Sequence, residues 1–320
     1  MMKCAILNDY QRVALGFADW SVLDGRLEIV VFDHAFASPD DTVSALEGFD
    51  VLVVMRERTW LGVDVLERLP NLKLIVTGGM RNAAIDLAAA ARRGIVVSGT
   101  EMPSIATSEL VWALLLSLLR HLPVETANLR AGGRWQLTVG RELSGSRLGI
   151  VGLGRLGTPV SKVALAFGMT VSAWSRNLTA ERCAAVGVEH AGSLEALLES
   201  ADAVTIHVPL TAASRGLIGR NEVARMKRSA LLINTSRGPI VDEAALVEAL
   251  ETGGIAGAGL DVFDVEPLPQ GHPFRRLPNV VATPHLGYVT EETFRAYYGR
   301  AIEGIEAWLA GTPVRRLTPV

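Results

Sequence analysis

The chain has 320 residues, of which 49% are hydrophobic and 20% charged, and its formal net charge is -3. That length exceeds the roughly 100 to 200 residues of a typical single domain, so two domains are expected. A nearly balanced charge without blocks of one sign gives no electrostatic support to a nucleic-acid or membrane-surface partner, and neither is expected. The only cysteines, Cys4 and Cys183, are read as reduced core thiols rather than a disulfide or a metal site.

In chain order, the opening MMKCAILNDY enters a strand pattern directly, without the apolar stretch and cleavage site of a secretory signal. Short apolar runs follow at Cys4 to Leu7, Ile29 to Phe32, Val51 to Met55, Leu72 to Val76 and Ile95 to Val97, with helical stretches between them. Strands alternating with helices predict a parallel sheet. Glu101, Met102 and Pro103 break this pattern, and an apolar helix is predicted from Ile105 to Leu122, ended by Pro123. Its longest uncharged run, Leu110 to Leu119, is far shorter than the ~20 residues of a bilayer span, so a cytoplasmic location is expected.

A loop with Gly132, Gly133 and Trp135 leads into a second series of strands and helices. It starts at Arg147 and continues through Val171, Ala203 to Ile206, Leu231 to Ile233, Ala258 to Val262 and Val280 to Ala282. A final helix places Ile302, Ile305 and Leu309 on one face, stops at Gly311 and Pro313, and is expected to return to the first domain. The expected class is therefore α/β, with two doubly wound parallel-sheet domains. Residues 1–100 and 287–320 form one domain, and 101–286 form a second inserted into it.

The first strand of the inserted domain, Leu148 to Val151, is followed by Gly152, Leu153, Gly154, Arg155, Leu156 and Gly157, and then by a helix to about Phe167. Gly152 permits a tight turn, Gly154 lets the backbone approach a pyrophosphate, and Gly157 lets the helix sit close to the strand. The helix N-terminus adds unpaired N–H groups and partial positive charge. A strand, this spacing and then a helix read as a dinucleotide-binding turn. The next strand, Thr170 to Trp174, ends in Ser175, Arg176 and Asn177, without the acid that would bond a ribose 2′-hydroxyl. Arg176 could instead pair with a 2′-phosphate, which favours NADP. NAD is the alternative, with Arg176 a solvated surface residue.

The segments ELSGSRLGIVGLGRLG, HVPLTAASRGLI, LLINTSRGPIVDEAALVEAL, AGAGLDVFDVEPLP and NVVATPHLGYVT follow one another along the chain. In that order they resemble the signatures of the D-isomer-specific 2-hydroxyacid dehydrogenases. The resemblance implies a Rossmann NAD(P)-binding domain inserted into a flavodoxin-like substrate domain. It also implies hydride transfer between nicotinamide and a small 2-oxo or 2-hydroxy acid, and a homodimer.

By the same resemblance the catalytic arginine falls on Arg237, the glutamate on Glu266 and the histidine on His285. The chemistry of these residue types agrees. A planar guanidinium offers two parallel donors to a carboxylate and carbonyl oxygen. An imidazole titrating near neutrality can protonate the oxygen as hydride arrives, and a carboxylate beside it stabilises the imidazolium. Asp261 resembles a partner for the nicotinamide carboxamide, the other reading being a strand-end acid bonded only to backbone. His207, Val208 and Pro209 match a segment lining the cofactor cleft, and Thr107 and Thr235 are further cofactor-side candidates. No metal is expected, since the six histidines show no ligand spacing.

On the substrate side, Gly78, Gly79, Met80 and Arg81 resemble the loop whose amides hold the substrate carboxylate, with Arg81 in place of the usual second glycine. Arg56, in Met55-Arg56-Glu57-Arg58-Thr59, resembles a position that faces an anionic substrate tail in phosphoglycerate dehydrogenases. Inward-facing Arg56 or Arg81 implies a substrate with a second anion, whereas glyoxylate or hydroxypyruvate needs none. Solvated surface arginines are the alternative. The leading expectation is a hydroxypyruvate or glyoxylate type of reductase. A phosphoglycerate dehydrogenase-like enzyme and a dinucleotide-sensing binding protein of the corepressor type are the alternatives, and the regulatory domain of many phosphoglycerate dehydrogenases is not expected after Val320.

Overall fold

The computed structural model describes residues 1–102 and 105–319. By its internal contacts the chain divides into two units, Met1–Pro103 with Val289–Val320, and Ser104–Tyr288. Pro103, which the sequence reading puts in the break between domains, lies outside the described residues.

The first unit holds β1 (Met2–Ile6), β2 (Leu27–Val31), β3 (Val51–Val54), β4 (Leu74–Gly78) and β5 (Val96–Thr100). All pairings are parallel and the order is β2-β1-β3-β4-β5, the flavodoxin-like arrangement. β3 and β4 are buried throughout, which is why they read as unbroken apolar runs rather than alternating ones. The last helix, Glu291–Leu309, packs on β4 and β5. It buries Tyr297, whose hydroxyl donates to the Val54 carbonyl at 2.8 Å. The chain then covers the β5 edge, where Leu317 N–H donates to the Val97 carbonyl and Gly99 N–H to the Arg315 carbonyl.

The second unit holds β6 (Arg147–Val151), β7 (Thr170–Trp174), β8 (Glu189–His190), β9 (Ala203–Ile206), β10 (Leu231–Asn234), β11 (Gly257–Leu260) and β12 (Val280–Ala282). The order β12-β11-β10-β9-β6-β7-β8 is that of a Rossmann sheet extended by one strand. Its reversal point lies between β6 and β9, and the rule for open α/β sheets puts a ligand outside the carboxyl ends there. Leu114 and Leu115 of helix Ile105–Leu119 and Val160 and Ala164 of helix Gly157–Ala166 fill one core layer. Leu197, Leu198, Leu246 and Leu250 belong to another.

Two elements differ from expectation. The helix from Ile105 stops at Leu119, His121 takes a left-handed φ of 49°, and Pro123 lies in the first turn of a new helix, Leu122–Arg130. Proline lacks the N–H that a first turn leaves unpaired anyway, so it starts a helix here instead of ending one. β8 was not foreseen, because its two exposed residues pair only with β7 and form no apolar run. Among the described residues no single helix is long and apolar enough to cross a membrane.

Cys4 and Cys183 are both buried and unpaired. Burial pushes the Cys4 thiol up to about 12 and raises that of Cys183, so neither supplies much thiolate at mildly alkaline pH. A thiol-titrating disulfide reagent is expected to find no fast-reacting group in the native protein and two after denaturation. Rapid native labelling would contradict this burial.

Candidate active site

The carboxyl ends of β6, β9, β10, β11 and β12 lie side by side, and each is followed by a residue singled out in the sequence. After β6, Gly152 adopts φ 103°, which L side chains rarely adopt, and its N–H donates to the Trp174 carbonyl at 2.8 Å. A methyl on Gly157 would overlap the Gly152 carbonyl oxygen, so the helix Gly157–Ala166 begins directly on the turn. A methyl on Gly154 would meet nothing within 4 Å. Leu156 caps this helix, with its carbonyl accepting from Ser108 Oγ at 3.1 Å, and Arg155 is exposed.

After β10, the Asn234 side chain accepts from Ser236 N–H and donates to the Arg237 carbonyl, each at 3.0 Å, which folds the backbone back at Arg237. Arg237 Nη1 donates to the Ser236 carbonyl at 2.6 Å. After β11, Glu266 Oε1 accepts from Phe263 N–H at 3.0 Å, while Oε2 lies 2.6 Å from His285 Nδ1, in the loop after β12. Nδ1 is thereby committed to the carboxylate, which fixes the orientation of the ring. The Tyr288 ring meets the imidazole edge-on, with centroids 5.6 Å apart.

His285 itself has φ 55°, a left-handed conformation for a non-glycine residue. Such strain persists only where surrounding contacts hold it. Here Asp261 Oδ1 accepts from Thr283 Oγ1 at 2.6 Å and Leu286 N–H at 2.7 Å, and Oδ2 accepts from Gly287 N–H at 2.8 Å. Thr107 Oγ1 donates to the Gly287 carbonyl at 2.8 Å. Burial raises the Asp261 carboxyl above its ordinary range, opposed by these hydrogen bonds and by the nearby His285. Both Asp261 carboxylate oxygens and the Thr107 hydroxyl are thus engaged in the turn that carries His285.

Residues 112–287 match the model of the D-isomer specific 2-hydroxyacid dehydrogenase, NAD binding domain. The glyoxylate reductase of Aeropyrum pernix is 37% identical over 303 residues, covering 91% of this chain and 89% of that protein. The chain belongs to the D-isomer-specific 2-hydroxyacid dehydrogenase family. The D-3-phosphoglycerate dehydrogenase of Bacillus subtilis is 41% identical over 278 residues, which is 86% of this chain but 52% of that protein, so this chain spans about half its length. A solved phosphoglycerate oxidoreductase from Vibrio cholerae is 34% identical with a TM-score of 0.93, covering 97% of this chain and all of the other.

The residues of this chain fit the dinucleotide that its family model implies. Besides the open space over Gly154, two buried polar atoms at neighbouring strand ends, His207 Nδ1 after β9 and Thr235 Oγ1 after β10, have no partner among the described residues. A polar ligand across this crest would partner both, whereas the likewise unpartnered Trp112 Nε1 and Ser172 Oγ lie away from it, in a helix and in the middle of β7. His207 Nε2 shares a hydrogen bond with Thr205 Oγ1 at 3.0 Å, and desolvation pulls the ring down to about 4, so it is neutral at physiological pH. The carbonyls of Val208 and Pro209 accept from Ser236 Oγ and Ser214 Oγ, each at 2.6 Å. Ser175 and Arg176 follow β7, where Arg176 is exposed and donates to the Ala213 carbonyl at 3.2 Å. Among the described residues no group of three or more His, Cys, Asp or Glu could hold a metal ion.

In the first unit, Arg56 follows β3 with φ 51°, and its carbonyl accepts from Asn82 Nδ2 at 2.6 Å. Its guanidinium lies against Gly79, where a β-carbon would stand 3.4 Å from Arg56 Nη1, and Nε is 3.7 Å from Glu57 Oε2. The adjacency of β3 and β4 thus brings Arg56 and Gly79 together, while Met80 and Arg81 are exposed. Sequence reasoning missed Asn234, Thr283 and Tyr288. The first two each lie at or just beyond a strand end, a position that hints at function only once the strands are placed.

Proposed function

We propose that this family member reduces a small 2-oxo acid to a D-2-hydroxy acid, with hydroxypyruvate and glyoxylate the simplest candidates. The observation that carries the reading is the 2.6 Å contact of His285 Nδ1 with Glu266 Oε2, which follow the paired strands β12 and β11, with β11 in turn paired to the β10 that leads to Arg237. A nicotinamide dinucleotide, when bound, supplies the hydride. Gly152, Gly154, Arg155, Leu156 and Gly157 would hold its pyrophosphate, and His207, Val208, Pro209 and Thr235 would line its path. Arg237 binds the substrate carboxylate and polarises the 2-oxo oxygen. His285 Nε2 donates a proton to that oxygen as negative charge builds on it, while Glu266 stabilises the imidazolium and fixes the ring. In the reverse direction His285 accepts the hydroxyl proton.

The unit Ser104–Tyr288 is assigned to the dinucleotide and the unit Met1–Pro103 with Val289–Val320 to the substrate. Gly79, Met80 and Arg81 would face the substrate carboxylate. The guanidinium of Arg56 against Gly79 favours a second reading, a phosphoglycerate dehydrogenase-like enzyme whose substrate carries another anion. The proposal also includes a homodimer, supported by the exposed apolar side chains Leu129, Trp135 and Val139 (61%, 83% and 91%). A cytoplasmic location is supported by the two buried free thiols.

The proposed cofactor is NADP, because Ser175 and exposed Arg176 stand where an acid would repel a 2′-phosphate. Arg176→Ala is expected to raise KM for NADPH by about 10- to 100-fold, the range of a lost charge-assisted hydrogen bond, and to leave that for NADH nearly unchanged. Equal effects on both cofactors would reassign the enzyme to NAD. Rates with phosphohydroxypyruvate against hydroxypyruvate separate the two substrate readings, and Arg56→Ala should weaken only the phosphorylated substrate.

A further inference from the structure

Glu266 sits in a loop, residues 261–272, that leaves β11 and returns to β12 through the short turn Pro273–Arg275. A residue that must keep a 2.6 Å bond to His285 needs that loop held from outside the site as well. The holding group is Glu243, the first residue of helix Glu243–Thr252. Its Oε2 accepts from Asp264 N–H at 3.2 Å, and its Oε1 accepts from His272 Nε2 at 3.0 Å. His272 Nδ1 accepts from Phe274 N–H at 3.2 Å, which fixes the tautomer with the proton on Nε2. One carboxylate therefore grips the loop near both ends, two residues before Glu266 and six after it.

The same loop abuts the arginine segment. A β-carbon on Gly238 would overlap the Phe263 carbonyl group, so backbone next to Arg237 rests directly on backbone that donates to Glu266. The His272 and Phe274 ring centroids lie 4.8 Å apart with the planes tilted by 50°, and Arg275 Nε donates to the Pro269 carbonyl at 2.9 Å, which stiffens the return. The Asp264 carboxyl is raised by burial and then by the charge of Glu243.

We propose that Glu243 and His272 are positioning residues for the proton-transfer pair: by clamping residues 264 and 272 they hold the Glu266 carboxylate against His285. The clamp rests on the acid–base reading above and deepens it. It touches neither substrate nor cofactor, and it lines a hollow of about 350 Å³ with Val247, Glu248 and Glu251. A smaller side chain there admits water to the freed N–H groups, so variants are expected to fold.

The test uses the full chain. In Glu243→Ala and His272→Ala, kcat with hydroxypyruvate should fall about 10- to 100-fold, the scale for sub-ångström to ångström misplacement of a catalytic group, with dinucleotide Kd unchanged. Glu243→Gln, which keeps one acceptor, should recover part of the loss. Proton NMR adds a readout independent of turnover. The short Glu266–His285 bond predicts a far-downfield Nδ1 proton in the parent protein, removed by Glu266→Gln and weakened in Glu243→Ala. Unchanged kcat and an unchanged downfield signal in both clamp variants, with Glu266→Gln impaired, would overturn the clamp alone. A fully active Glu266→Gln would overturn the acid–base reading and the clamp with it. Melting curves identify a variant that loses its fold. The downfield signal of the milder Glu243→Gln then decides, with loss or weakening supporting the clamp and full retention overturning it.

Discussion

His285→Ala is expected to lower kcat for reduction of a 2-oxo acid by about 10²- to 10⁴-fold, the contribution of a positioned general acid, while dinucleotide affinity is retained. The expectation follows from how much structure is organised around one imidazole. Asp261, Thr283 and Thr107 hold the turn in which His285 takes its left-handed φ of 55°. Glu266 takes Nδ1 at 2.6 Å and orients the ring. Alanine removes the imidazole with its Glu266 bond and Tyr288 contact but not the Asp261 bonds to the turn backbone, so Kd for NADPH, followed by fluorescence, separates lost chemistry from lost binding. Steady-state kinetics would contradict the assignment if His285→Ala retained more than a tenth of parent kcat.

Gly157→Ala should act on the other half of the site and on the fold together. Its methyl would overlap the Gly152 carbonyl oxygen and stand 3.2 Å from Ile150 Cγ2. Backbone fixed by a sheet strand on one side and a helix start on the other has little room to yield. Overpacking of this kind costs about 1–3 kcal/mol, or some 2–4 °C of melting temperature per kcal/mol in a unit of this size. The turn proposed to receive the pyrophosphate should be displaced as well, weakening dinucleotide binding by about tenfold for each 1.4 kcal/mol of binding free energy lost. Gly154→Ala is the matched comparison. Its methyl meets nothing in the protein, so it should melt like the parent yet bind dinucleotide poorly, because it enters space assigned to the phosphates. Normal binding by both variants would remove the dinucleotide from this turn.

Much of this architecture was legible because the relevant signals are local. β3 and β4 are covered on both faces, so their residues are apolar without interruption and announce themselves in the sequence. The glycine turn after β6 is legible for the same reason, since all its constraints fall within six residues. Arg237, Glu266 and His285 were singled out through the motifs around them, and spacing alone would not have joined residues that follow three different strands. What escaped notice depends on partners distant in sequence. Pro123 reads as a stop until the left-handed His121 shows that a new helix begins there. Glu243 and His272 are 29 residues apart, and each reads as an ordinary polar residue until the helix and loop are placed together. Likewise, the contact of Arg56 with Gly79 follows from strand order, which no stretch of sequence states.

The central claim is that His285 and Glu266 carry out proton transfer in the reduction of a small 2-oxo acid. The most direct measurement is the initial rate of reduced-dinucleotide consumption with hydroxypyruvate, glyoxylate and phosphohydroxypyruvate, using NADPH and NADH, for the parent and His285→Ala, with the product resolved by chirality. The account predicts turnover by the parent, a D-configured product from hydroxypyruvate and near-silence from the variant. Tight dinucleotide binding without turnover of any of the three acids, or equal rates in parent and variant, would contradict it.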